Sequence, residues 1–453
     1  MPHQKVTIIG AGLAGSLLAI YLAKKGFRVE VYERRPDMRK EQISAGRSIN
    51  LALSTRGIYA LQEVGLAKTV LKSAIPMKGR MIHTRDGELL FQPYGKDESE
   101  VINSVSRGEL NKVLMDTAEG FDNVSLYFNQ KCKEVDFVRG EVLLYDEKYQ
   151  EEKVIYTDTL IACDGAHSAV RLSMQKRGRF NLNQFYLEHG YKELTIPAGD
   201  DHHFQMEPHA LHIWPRGTYM LIALPNPDAS FTCTLFYPFE GKNSFATLDT
   251  PRKLTRFFNQ EFPDALNLMP TLKHDFFANP TGNLVTVKCS PWHVGGKALL
   301  LGDAAHAIVP FYGQGMNCAF EDCTMLNHLI DKYGTDWEKV FREYEKQRKK
   351  DTDAIADLAL DNFIEMRDKV ADPVFQTKKK IELLLEQQFP GRFISKYGMV
   401  TFHRTPYSIA KKRGEAQEQI LMDIARNITN PEEINPGEIL KVVEEKLAQS
   451  KKG

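Results

Sequence analysis

The 453-residue sequence predicts an α/β protein: a Rossmann-like dinucleotide-binding domain, an inserted antiparallel-sheet domain and a helical C-terminal region. Three observations predict it. A β-branched run, Lys5-Val-Thr-Ile-Ile9, passes straight into the glycine-rich turn Gly10-Ala-Gly-Leu-Ala-Gly15. Two later apolar runs, within 154–165 and 297–303, end in Asp-Gly and Gly-Asp. Between and beyond these, residues 211–237 alternate like strands, and the charged stretch Trp337–Leu360 carries apolar residues at helical spacing.

The opening turn is the most informative element. Leu17, Leu18, Tyr21 and Leu22 recur at helical spacing after it, Gly26 marks the helix end, and Arg28–Glu33 reads as a second buried strand. In this strand–turn–helix context Gly10 permits the tight turn, Gly12 lets backbone approach a pyrophosphate, and Gly15 lets helix pack on strand. Leu13 and Ala14 lie in the same turn, at the helix start whose free N–H groups and partial positive charge face phosphate. Glu33, 18 residues beyond Gly15, is placed to accept the ribose hydroxyls of an adenosine and to repel a 2′-phosphate. That favours FAD or NAD over NADP at this site.

The later segments extend the cradle. Residues 154–165 predict an apolar strand that ends in the turn Asp164-Gly165, with a helix starting near Ala166. Residues 297–303 predict a buried strand ending in Gly302-Asp303, where a carboxylate can grip sugar-like hydroxyls. The loop that follows holds Pro310, Phe311, Gly313, Gln314, Gly315, Met316 and Asn317, with a helix from about Cys318. Its glycines let backbone amides face a flat ligand, and the helix aims its positive end there.

Composition excludes several classes. Lys plus Arg (59) equals Asp plus Glu (59), so no electrostatic ground exists for a nucleic-acid or membrane-surface partner. Six scattered cysteines without a CxxC pair read as reduced thiols. No apolar window is long enough to span a membrane and no signal peptide is evident, so a cytoplasmic protein is expected. His202, His203, His209 and His212 fit no tight zinc template, and no metal is expected. The lysine run starting at Lys378 is expected to form a solvated face.

The order GxGxxG, then Cys-Asp-Gly, then Gly-Asp before Gly-Gln-Gly-Met-Asn resembles the single-component flavoprotein aromatic hydroxylases. Gly46–Ser54, Met77–His83, Gln92–Gly95, Asn103–Asn111, Leu211–Gly217 and Asp361–Met366 are similar, more narrowly, to the kynurenine 3-monooxygenase family, and the likeness runs from residue 5 to about 400. The resemblance implies a Rossmann-like FAD-binding domain with bound FAD, NADPH as a transient co-substrate without a domain of its own, O2 consumed, and L-kynurenine hydroxylated at the 3-position, a step of tryptophan degradation. It implies that Asp303 binds the ribityl chain and that Asp164 serves the cofactor region, with Arg34, Arg47 and Arg107 completing the cofactor set. Arg80 and Tyr94 would hold the substrate carboxylate, joined by Asn362 and Tyr397. Phe236 and Met366 would wall the ring, Pro310 and Phe311 would lie between ring and flavin, and Gln314 would meet the ketone. No catalytic side chain beyond the flavin is implied. Eukaryotic members of the family carry a C-terminal membrane anchor, and none is expected from this sequence.

The expected organisation is an FAD-binding domain from 1–75, 100–178 and 285–330, a substrate domain from 76–99 and 179–284, and a helical region from 331–453. Met220, Ile222 and Leu224 fall on one strand face, as do Thr232, Thr234 and Phe236, so one sheet face can wall an aromatic substrate. Two alternatives stay open: hydroxylation of another arylamine or phenol, and a related flavoprotein reductase.

Overall fold

A computed structural model describes residues 4–40, 50–366, 372–428 and 435–450. Arg47 lies outside the described residues. The chain divides into two compact units, Met1–Lys72 with Val105–Tyr186 and Val285–Ala356, and Ser73–Ser104 with Leu187–Leu284 and Asp357–Gly453. None of the described helices is long and apolar enough to cross a membrane.

The first unit is built on a six-stranded sheet. Its order is His293–Val294, Ala298–Leu300, Leu160–Ala162, Lys5–Ile9, Arg28–Tyr32 and Val124–Tyr127, parallel except for the first pair. Val6, Ile8, Val29, Val31, Ile161 and Leu299 are fully buried, as expected of parallel strands covered on both faces. Lys5–Ile9 pairs with Arg28–Tyr32 on one side and Leu160–Ala162 on the other. The connections therefore diverge at its carboxyl end, where doubly wound sheets bind ligands. The expected strand within 154–165 is broken: Glu151–Tyr156 belongs to a separate three-stranded meander, and only Leu160–Ala162 enters the main sheet.

Behind the Gly302 turn lies a buried ionic chain. Asp322 accepts hydrogen bonds from Gly302 N (3.2 Å), His306 Nε2 (2.6 Å) and Arg348 Nε (2.7 Å). Arg348 also pairs with Glu321 (2.7 Å), which pairs with Arg56. His306, Cys318 and Asp322 place potential metal ligands within 4.8 Å of one another. A cation there would meet the Arg348 guanidinium, 3.4 Å from Cys318 Sγ, so the group is an ionic latch.

The second unit carries a mixed sheet rather than a purely antiparallel one. Ala210–Pro215 runs parallel to Gly79–His83, whereas Gly79–His83 with Leu89–Pro93, Ala210–Pro215 with Met220–Pro225, and Met220–Pro225 with Phe231–Pro238 are antiparallel. Helices Pro251–Glu261, Pro263–Asn267 and Leu272–Ala278 bury Trp214, Leu221, Cys233, Leu235 and Tyr237 on one face. Met220, Ile222 and Leu224 stand opposite Phe236, Thr234 and Thr232 in register on the other face, as the alternation predicts. Helices Pro373–Gln388, Tyr407–Arg426 and Pro436–Ser450 pack around Ile381, Leu385, Leu421 and Leu440.

Two expectations change here. The region 331–453 is not one body. Helix Trp337–Ile364 sends Trp337 onto Phe27 (5.5 Å) and Tyr344 onto Trp292 (5.9 Å), so its residues to Ala356 belong to the first unit. The lysine run is not a solvated face. Lys378 is buried against Glu382 (3.0 Å), and Lys379 pairs with Glu382 (3.1 Å) and Glu365 (3.7 Å). Of the four histidines, His212 joins His83 (2.8 Å), which reaches Asp264 (2.7 Å), and burial lowers His212 to about 4.

Glu386, in the same helix as Lys378, accepts a hydrogen bond from Ser395 N (2.7 Å). Burial, with Glu382 and Glu100 adding repulsion, raises its carboxyl from 4.5 to about 7. The associated stability is present below pH 4.5 and is lost as pH rises through about 7, a cost on the order of 3 kcal/mol at pH 8. Glu386→Gln keeps the acceptor and removes the charge. Its melting temperature should exceed the parent's at pH 8 and converge with it at pH 5 by calorimetry.

Candidate active site

The glycine turn forms as the motif requires. Gly10, at φ +100°, lies so close to Cys163 that a Cβ would come within 2.5 Å of its carbonyl oxygen, and a Cβ on Gly15 would come within 1.9 Å of Gly10 O. Gly12 differs: a Cβ there would meet nothing within 4 Å, so its backbone faces open space. Gly12 caps helix Leu13–Lys24 without a side-chain hydrogen bond, which leaves the first-turn N–H groups to a ligand.

Glu33 stands beside this turn. Its Oε2 accepts from Ala11 N (2.8 Å) and its Oε1 from Arg35 N (3.0 Å) and Nε (2.8 Å). Burial works against its charge, but Arg35 and Ala11 N hold it below the usual carboxylate range. Arg35 thus makes the contact, whereas Arg34 is exposed.

Asp164 accepts from Ala169 N (2.8 Å) through Oδ2, while its buried Oδ1 has no hydrogen-bond partner. Asn111 donates to Ala11 O (3.2 Å), and its buried Oδ1 is likewise unpartnered. Sequence reasoning missed Asn111, although it lies four residues after Arg107 on helix Arg107–Glu119 and therefore on the same face. Gly302, at φ +63°, turns the chain into Asp303. Asp303 is reached by solvent but ringed by protein, which raises its carboxyl above the usual range, with His306 and Arg107 opposing.

The following loop ends in helix Gly315–Tyr333, which starts three residues earlier than expected and has no side-chain cap. Pro310 and Phe311 begin a short turn that closes at Gly313, φ +65°. Gln314 Nε2 lies 3.4 Å from Ser54 Oγ. Asn317 spends its carboxamide on the fold: Nδ2 donates to Ala52 O (2.7 Å) and Gly313 O (2.9 Å), and Oδ1 accepts from Ser54 N (2.9 Å). Its side chain fixes the shape of the loop.

In the second unit, Arg80 extends from strand Gly79–His83 toward two tyrosines. Its Cζ lies 5.6 Å from the Tyr94 ring centroid and 5.3 Å from that of Tyr397, and the two rings stack at 5.5 Å and 13°. Burial opposes its charge, while Tyr397, Tyr94 and Glu365 sustain it. Arg80 Nε is buried with no hydrogen-bond partner. Burial pushes the Tyr397 phenol up to about 12 and Tyr94 higher, so both stay hydroxyl donors. A cavity of about 320 Å³ opens onto Arg80, Tyr94 and Tyr397. Asn362 and Met366 are buried one helical turn apart, joined by a 3.4 Å Asn362 Nδ2–Met366 Sδ contact. Glu365, three residues after Asn362, went unread in the sequence, though that spacing could have found it. Phe236 is buried on the sheet face away from the helix-covered core.

The chain matches a family model described as an FAD binding domain over residues 3–359. It is 52% identical over 442 residues to the kynurenine 3-monooxygenase of Myxococcus xanthus, covering 98% of this chain and 95% of that one. It is 49% identical over 436 residues to the kynurenine 3-monooxygenase of Dictyostelium discoideum, with 94% of each covered.

The chain belongs to the kynurenine 3-monooxygenase family.

As a member of that family it is an FAD-dependent flavoprotein monooxygenase. Its fold is also that of 2-methyl-3-hydroxypyridine-5-carboxylic acid oxygenase, with a TM-score of 0.65 at 20% identity over 86% of this chain and 98% of that one. The first unit fits the family's cofactor. The open space at Gly12 and the uncapped helix start suit a pyrophosphate, and the orphaned acceptors of Asp164 and Asn111 suit a ligand rich in hydroxyl groups.

Proposed function

We propose that this flavoprotein hydroxylates L-kynurenine to 3-hydroxy-L-kynurenine with NADPH and O2. The observation that carries the reading is Arg80, a buried guanidinium with an unpartnered Nε beside two stacked phenols on the wall of a small cavity. A buried cation with spare donors calls for an anion, and a planar fork with adjacent hydroxyls fits a carboxylate. The relatives at 52% and 49% identity are named for a substrate that bears one.

FAD, when bound, would supply the redox chemistry: two electrons from NADPH reduce O2, one oxygen atom enters the C3–H bond of the ring as a hydroxyl group, and the other leaves as water. The chain's own groups bind and orient. Arg80 and Tyr94 hold the carboxylate, with Tyr397 and Asn362 beside them. Phe236 and Met366 wall the aromatic ring. Gly12, Leu13, Ala14, Gly15, Glu33, Asp164, Asp303, Arg107 and the Gly315–Met316 backbone hold the cofactor. The substrate's aniline nitrogen already activates its ortho carbon, so positioning and exclusion of water are what the side chains contribute.

The test is to incubate the purified holoprotein with NADPH and L-kynurenine and to follow NADPH oxidation and product mass. A product 16 mass units heavier and kynurenine-stimulated oxidation are expected for one inserted oxygen atom, at about 16 Da. NADPH consumption indifferent to kynurenine, or stimulated only by another arylamine, would overturn the reading.

A further inference from the structure

We propose that Gln92 receives the α-ammonium of the substrate's amino-acid end and thereby makes the cavity selective for amino acids over simple carboxylic acids. The proposal rests on the kynurenine reading above and assigns one more residue to that site.

Gln92 stands directly across from Arg80 in the antiparallel pair of strands Gly79–His83 and Leu89–Pro93. Residues opposed in this way project from the same face. Both line the 320 Å³ cavity, together with Tyr94 and Tyr397. Arg80 Nε is a buried donor without an acceptor, and Gln92 Oε1 is a buried acceptor without a donor. The two are neighbours of complementary sense, yet neither satisfies the other. Unpartnered buried polar atoms are costly and rare, and clustering at a cavity wall marks where a ligand completes them.

The ligand that completes this pair must offer an acceptor and a donor a short distance apart. An α-amino acid end does so, because its carboxylate and ammonium are attached to one carbon. The acidic groups on the same wall are engaged elsewhere: Glu382 holds Lys378 and Lys379, and Glu386 accepts from Ser395 N. Gln92 is also suited electrically. With Arg80 matched by the carboxylate, a neutral carboxamide oxygen accepts a hydrogen bond from the ammonium without adding another buried anion. Two fixed points on the amino-acid end, plus the ring, also define a hand at the α-carbon.

The test compares L-kynurenine with its des-amino analogue, 4-(2-aminophenyl)-4-oxobutanoate, in the holoprotein and in Gln92→Leu. Gln92→Leu should raise the KM and the calorimetric Kd for L-kynurenine about 10-fold or more, the loss of one hydrogen bond to a charged group. It should leave kcat, and the analogue's constants, unchanged. Gln92→Glu, which keeps an acceptor, should retain the preference for L-kynurenine over the analogue. If Gln92→Leu does not retain FAD, Gln92→Met serves as the variant of similar shape. Equal effects on both ligands, or no effect on either, would overturn the proposal while the kynurenine reading stands. A parent protein that binds neither ligand would overturn both.

Discussion

Arg80→Ala is expected to lower kcat/KM for L-kynurenine by roughly 30- to 4000-fold while FAD remains bound. The range follows from the cost of truncating one partner of a buried charge pair, about 2–5 kcal/mol, at about 1.4 kcal/mol per factor of ten. Tyr94 and Tyr397 remain as hydroxyl donors but carry no charge, since burial keeps their phenols protonated near neutrality. Arg80→Lys restores the charge without the planar fork and should fall between parent and alanine variant. The measurement is kynurenine-stimulated NADPH oxidation at equal flavin content, read from the absorbance of the bound cofactor. Parent-like kinetics in Arg80→Ala would remove the carboxylate clamp from the mechanism.

The second large effect separates two glycines of one motif. Gly12→Val should yield a folded protein that has lost essentially all bound FAD. Gly15→Val should fail to reach the native fold. The difference lies in what each added side chain meets: open space at Gly12, and Gly10 O at 1.9 Å from the Cβ position at Gly15. The first substitution fills the room reserved for pyrophosphate, and the second pushes helix Leu13–Lys24 off strand Lys5–Ile9. Circular dichroism and flavin absorbance on both variants check this. FAD retained by Gly12→Val would show that the space at that glycine is not where the cofactor lies.

The parts of the fold that were legible in the sequence depend on short-range patterns. The glycine turn, its strand and helix, and the alternation that sets Met220, Ile222 and Leu224 against Thr232, Thr234 and Phe236 follow from local steric and period rules. The elements that were misread depend on distant partners. Lys378 and Lys379 form a local charge run with Glu382 one turn along the same helix, but only the fold supplies Glu365 and Glu418 as their further partners. The break before Leu160 is invisible in an apolar run, because which sheet a strand joins is decided by its neighbours. At the site, Arg80, Tyr94 and Tyr397 were legible only through family resemblance, being far apart in sequence. Asn317 was legible only as part of the loop expected to face a flat ligand, and the bonds of its amide to Ala52, Gly313 and Ser54 are supplied by the fold.

That use of Asn317 has a thermodynamic consequence. A glycine-bearing loop left to itself samples many shapes, and a ligand would have to pay for choosing one. Here three hydrogen bonds from one carboxamide, with Gly313 in a left-handed turn, select the shape as the chain folds. The entropy is surrendered once, during folding, and is not charged again at each binding event, so affinity for a flat ligand at this loop is set by contacts alone.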